Sequence, residues 1–328
     1  MGPLSRTGFT VFLVLLSIVM VAVQVWFGEV PAWMLCSNWA ISGIAAYMLW
    51  DCVSRYGLGR IMIRGSFVVP WVIMASMANV CCTCFSIRLM AAENYVAIAC
   101  FLVVIRVSMA LWQNVDAARI LVWQGVLIGA ASSVYPGVLL WIMLVPLQIF
   151  FMRCGGLKNF LVTASGMLLG IWVAYCILFF WGSEESLQLM SQRYYDLLVV
   201  DQDLHISTIW QKLVVYIVAG MTILYCLITF TLGGSNSLRS QSINHLLCIC
   251  QIMVLLFTLL DMNHMPVYLL LQTMMLGLQL IVILANSRGY LSEWWTMLIM
   301  LCYMGLSVGP YLPKPLLHQA WNLMFENI

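Results

Sequence analysis

Charge is what this chain has least of. Lysine, arginine, aspartate and glutamate make up 8% of its 328 residues, against roughly 25% in an ordinary soluble domain. A water-soluble fold needs a charged exterior, so the shortage excludes one. Alternating apolar and polar runs are also missing, which excludes a membrane β-barrel. The longer glycine-bearing stretch, DCVSRYGLGRIMIRG from Asp51, lacks G-x-x-x-x-G-K-[ST] and so is no phosphate cradle. It reads as a basic loop beside anionic lipid headgroups. No A-x-A-like site follows the apolar run Phe9 to Phe27, which is expected to be an uncleaved first span. The four histidines, His205, His245, His264 and His318, are scattered. No haem pair, cofactor or metal is expected from them.

What is present is apolar. Hydrophobic residues make up 64% of the chain, and the mean hydropathy is +1.00. The runs are continuous and near the length of about 20 residues that a spanning helix needs. The chain has twelve cysteines, but most lie inside those runs, where cysteine acts as a small hydrophobe. Cys81, Cys82 and Cys84 in NVCCTCF have no second ligand pair, so packing rather than metal binding is expected.

The fold class that follows is all-α: a polytopic transmembrane helix bundle of about eleven spans, forming one integral membrane domain over 1–328. The spans are expected at 8–27, 32–50, 66–87, 94–112, 118–135, 137–152, 159–181, 213–232, 244–260, 266–286 and 294–309. Only Tyr135 and Pro136 separate the fifth from the sixth, which implies a tight helical hairpin. GSEESLQLMSQRYYDLLVVDQDLHIS reads differently. Ser183 suits a helix cap, and Glu184 and Glu185 suit a first turn. Leu187, Met190, Tyr194, Leu197 and Leu198 then share a face. An amphipathic helix lying on the outer surface is expected near 184–200. The tail 311–328 reads as interfacial, anchored by Trp321, Met324 and Phe325.

Basic residues set the orientation. With the N-terminus in the cytoplasm, nine fall inside: Arg6, Arg55, Arg60, Arg64, Arg119, Arg153, Lys158, Arg239 and Arg288. Arg88, Arg193, Lys212 and Lys314 fall outside, and Arg106 lies within the bilayer. Most acids fall outside, in agreement.

Arg106 interrupts the apolar run ACFLVVIRVSMALW. Insertion of a mid-membrane arginine costs roughly 2.5–3.5 kcal/mol. It lies about 9 Å from the inner end, so snorkelling, a structural pair and an anion site are all open. On the outer side, Glu29 sits between tryptophans in WFGEVPAW as a candidate general base. Arg88, Glu93 and Arg193 are candidate substrate contacts, the arginines suiting phosphate. Asp116 and Arg119, three apart, are expected to pair on a helix. No acid falls deep inside a span, which weighs against ion-coupled transport.

The segment VIRVSMALWQNVDAARILVWQGVLIGAASSVYPGVLLWIMLVPLQIFF resembles an uncharacterised family of bacterial multi-pass inner-membrane proteins. The residues carrying it are Arg106, Asp116-Ala117, the small-residue run Gly129–Ser133, and Tyr135-Pro136. The resemblance covers about a third of the chain. It implies a bacterial cytoplasmic membrane and no particular activity. A looser likeness is to polytopic glycosyltransferases that use lipid-phosphate sugar donors. Glu29 matches their acid in the first outer loop, and the 184–200 helix matches their juxtamembrane helices. The first outer loop is much shorter here, and no soluble outer domain follows.

The expected function is handling of a polyprenyl- or lipid-linked substrate at the outer leaflet, in envelope biogenesis. If the protein is an enzyme, it is a lipid-linked sugar glycosyltransferase. The alternative is a non-catalytic membrane subunit with a protein partner, and a transporter ranks third. Membrane lipids are expected partners; nucleic acid is not.

Overall fold

The computed structural model describes residues 6–27, 32–56, 68–85, 92–114, 116–198, 209–232, 238–260, 265–286, 302 and 305–306. They are overwhelmingly helical, with no strand among them. The helices are α1 (Arg6–Phe27), α2 (Ala32–Tyr56), α3 (Val68–Phe85), α4 (Ala92–Ala110), α5 (Ala117–Ser132), α6 (Leu144–Met152), α7 (Leu157–Trp181), α8 (Glu184–Leu198), α9 (Ile209–Leu232), α10 (Leu238–Leu260) and α11 (Met265–Asn286). A 3₁₀ helix, Pro136–Met143, precedes α6. The first ten expected spans each coincide with helix. The last, 294–309, lies outside the described residues apart from 302 and 305–306, and so does the tail 311–328.

Among the described residues, three helices are long and apolar enough to cross a membrane: Leu157–Trp181, Trp210–Phe230 and Gln241–Thr258. The first is the clearest because of what it hides. α7 buries Asn159, Thr163, Gly166 and Gly170. It exposes Leu168, Trp172, Tyr175, Phe179, Phe180 and Trp181. A helix on a water-soluble protein does the reverse. Small and polar residues inside with large apolar ones outside is the arrangement for a lipid solvent.

Small residues decide the tightest packing among the described helices. Gly125 and Gly129 on α5 face Gly166 and Gly170 on α7, two G-x-x-x-G pairs in register. A Cβ on Gly125 would meet the Thr163 carbonyl, and one on Gly129 the Met167 carbonyl. Reciprocally, Gly166 faces the Val122 carbonyl and Gly170 the Val126 carbonyl. Positions on both helices rise together, so α5 and α7 run parallel. Lipid tails are as apolar as leucine and do not drive helices together. Close backbone approach supplies dispersion contacts instead.

The segment between these two helices departs from the expected uniform helix. Its first eight residues are 3₁₀ and its last nine are α. Pro136 opens it, and proline suits a first helical position. A 3₁₀ helix advances about 2.0 Å per residue against about 1.5 Å for an α-helix. The seventeen residues therefore reach about 30 Å, which as pure α-helix would take about twenty. Trp141 is fully buried and packs edge-on against Phe101, ring centroids 5.2 Å apart. The connection back to α7 is short. Arg153 adopts a left-handed conformation, φ 52°. Gly155 follows at φ 121°, where a side chain would be strained.

Amide side chains tie the interior together. Gln124 on α5 and Gln148 on α6 exchange hydrogen bonds of 2.9 and 3.1 Å. The Gln148 amide also donates to the Ser108 hydroxyl at 2.5 Å, joining α4. Asn38 on α2 donates to Asn79 on α3 at 3.2 Å. Gln272 on α11 donates to Thr222 on α9 at 2.6 Å. Each interhelical bond of this kind contributes on average about 0.6 kcal/mol in a membrane protein.

Candidate functional site

Two ends of the bundle carry the polar groups singled out from the sequence, and they are opposite ends. One holds Arg106, four residues before the end of α4. Its guanidinium donates to the Asp51 carboxylate at 2.8 Å. Asp51 lies on α2, because that helix continues to Tyr56. The stretch from Asp51 is thus helical for its first six residues rather than loop. Nothing breaks the helix before Gly57, and Arg55 one turn on pairs with Asp51 at 2.8 Å while complementing the helix C-terminus. Both arginines hold the Asp51 carboxyl below its ordinary value, the Arg106 hydrogen bond most strongly. Arg153 lies over the Trp112 ring at the same end, 5.6 Å from the centroid. The expected Asp116–Arg119 ion pair does not form. Both are exposed, and the Asp116 backbone is engaged instead, its N–H with the Asn114 side chain at 2.9 Å and its carbonyl with the Arg119 N–H at 3.1 Å.

The other end holds a cleft. α5 and α7 finish side by side there, and α8 folds across them. Its start is as expected: the Ser183 hydroxyl accepts the Ser186 N–H at 3.3 Å, and Glu184 and Glu185 occupy the first turn. Met190 on the inward face is buried. The Tyr194 hydroxyl shares a 2.9 Å hydrogen bond with Ser132 at the end of α5. Burial pushes that phenol upward, and the Ser132 bond partly opposes the shift. Arg193 donates to the Val134 carbonyl at 3.2 Å, which anchors α8 to the turn after α5.

Between these helices lies an open space of about 390 Å³. Val173, Ile177, Leu178, Leu189 and Met190 form its apolar wall, and Ser133, Ser186 and Arg193 its polar part. An apolar trough with one guanidinium fits an amphiphile with an anionic head, since arginine presents a planar donor fork to phosphate or carboxylate.

Of the expected site residues whose side chains are described, Arg193 alone lines this cleft. Arg106 is at the far end. Glu93 is the second residue of α4, at the same end of the bundle as the cleft, but its side chain lies outside the described residues. Glu29 and Arg88 lie outside them altogether. Cys81, Cys82 and Cys84 are on α3 with side chains likewise outside. Ser133 and Ser186 line the cleft too and are not among the expected site residues. The small-residue run that contains Ser133 and the cap position beside Ser186 were the available signals.

No family model, curated protein or solved structure matches this chain.

Proposed function

We propose that this protein is a multi-pass protein of a bacterial cytoplasmic membrane, with about eleven spans and a cytoplasmic N-terminus. In this reading the cleft under α8 opens at the outer leaflet. It takes the phosphate-bearing end of a polyprenyl-linked substrate in envelope biogenesis, with glycosyl transfer as the reaction class. One observation carries the reading: a guanidinium, Arg193, set at an apolar cleft between helices whose outer faces suit lipid. An isoprenoid chain would lie along Val173 and Ile177 while its phosphate met Arg193. Glu29 is the proposed base, activating an acceptor hydroxyl. The orientation is supported by the distribution of charge. Arg55, Arg106, Arg119, Arg153 and Lys158 gather at the end away from α8, as a cytoplasmic side requires.

The test is native mass spectrometry of the protein extracted gently from its own membrane, alongside Arg193→Gln. A polyprenyl phosphate retained by the wild type and lost from the variant is the expected result. Bulk phospholipid alone, identical in both, overturns the reading. A stoichiometric polypeptide in its place would move the protein to the membrane-subunit alternative.

A further inference from the structure

The interface of α9, α10 and α11 contains two cysteines that packing alone does not explain. Cys226 on α9 and Cys248 on α10 are 5% and 0% exposed, and the Cys226 thiol lies against the Cys248 backbone, 3.8 Å from its carbonyl oxygen. The Gln279 amide on α11 points its Nε2 at both sulfurs, 3.4 Å from Cys248 and 3.9 Å from Cys226. On the other side, the Cys226 thiol donates to the Gln251 Oε1 at 4.0 Å. Both glutamines are buried, and each has one amide atom with no partner: Nε2 of Gln251 and Oε1 of Gln279. Orphaned amide atoms in a buried site are costly and ask for an occupant or a rearrangement.

We propose that Cys226 and Cys248 form a two-thiolate site for Cu(I). The choice of ion follows from the donors. Zinc takes four ligands, and among the described residues no three His, Cys, Asp or Glu side chains come together. Calcium and magnesium need oxygens, chiefly carboxylates. Two sulfurs satisfy only a soft cation content with two ligands, and thiolates select Cu(I). Binding converts two thiols and Cu(I) into an S–Cu–S unit with one net negative charge, and releases two protons to solvent. That charge needs N–H donors. Gln279 already supplies them to both sulfurs. Gln251 now accepts from the Cys226 thiol. When that proton leaves, rotation of the Gln251 amide exchanges its oxygen for the idle Nε2 and gives the thiolate a donor. The unpartnered atom is thus a donor held for the loaded state, an outer-shell arrangement of the kind that tunes metal affinity.

The test uses the full-length protein in detergent, reduced and without oxygen. Cu(I) is titrated against a coloured Cu(I) chelator. One copper per chain is expected, abolished by Cys226→Ser and by Cys248→Ser. Gln279→Leu is expected to weaken binding by about tenfold, while Cys100→Ser, a buried cysteine on α4, leaves it unchanged. Copper K-edge absorption on the loaded wild type needs no variant to fold, and two sulfur neighbours are expected. Failure of the wild type to compete overturns the site, as do nitrogen or oxygen neighbours at copper. A Cys226–Cys248 disulfide in protein purified with its thiols blocked would also overturn it, in favour of a redox pair. The α8 cleft plays no part in any of these outcomes.

Discussion

Arg106 on α4 and Asp51 on α2 form a 2.8 Å ion pair across 55 residues of sequence. The arginine that interrupts an apolar run is thereby accounted for by a partner rather than by snorkelling alone. Removing Arg106 leaves Asp51 with the exposed Arg55 as its counter-charge, whereas removing Arg55 leaves the less exposed Arg106 in place. Arg106→Ala is therefore expected to lower the melting temperature in detergent more than Arg55→Ala, whose side chain is 63% exposed. Arg106→Lys should recover part of the loss. A double-mutant cycle with Asp51→Asn checks this, and additive effects would show that the pair contributes nothing.

The same carboxyl gives a pH dependence. Its folded-state value lies below 3.8, the ordinary one. A depressed carboxyl stabilises the fold in full above its unfolded value, and that contribution disappears as the pH falls through the folded value. Melting temperature should therefore decline below about pH 4, and Asp51→Asn should flatten the decline. Equal acid slopes in the two proteins would assign the effect to other groups.

The α5–α7 contact predicts opposite outcomes for two kinds of glycine. Gly129→Val and Gly170→Val force backbones apart and should each destabilise by about 1–3 kcal/mol or more. Gly220 on α9 has nothing near its missing Cβ. Gly220→Ala should stabilise by about 0.5–1 kcal/mol, through helix propensity alone. Thermal unfolding in a single detergent compares all three.

The Gln124–Gln148 pair offers a test of buried amides. Gln148→Leu strands the Gln124 amide, and Gln124→Leu leaves the Gln148 carbonyl oxygen without its donor while its amide keeps Ser108. Each should cost about 1–3 kcal/mol, the first more. The double change removes both polar groups and should cost less than the two singles summed. A strictly additive double variant would mean that the pair is not coupled.

Helix placement was legible because apolar runs of about twenty residues have few other uses. The cap at Ser183 followed from residue spacing, and so did Met190 and Tyr194 on the inward face of α8, while the side chains of Leu197 and Leu198 lie outside the described residues. Other features depended on partners distant in sequence. Nothing around Arg106 points to Asp51, since a helix end and a loop start look alike until a breaker appears at Gly57. The G-x-x-x-G pairs Gly125–Gly129 and Gly166–Gly170 were visible signals for close helix approach, but only packing shows that they face each other. The 3₁₀ stretch was not legible, because 136–143 carries the same apolar content as any α-helical span. Asp116 and Arg119 had the spacing of an ion pair, yet the backbone at the start of α5 holds them otherwise.

The parallel course of α5 and α7 has a consequence for biogenesis. Parallel neighbours cannot be joined directly, so this close helix pair stays open until the segment between them has returned through the bundle and residues as far as Ile171 have been made. A nascent chain that stops at Met152 holds the α5 glycine face uncovered. Other small-residue helices can compete for that face in the interval, and the timing of translation rather than the strength of the final contact would decide which helix α5 meets first.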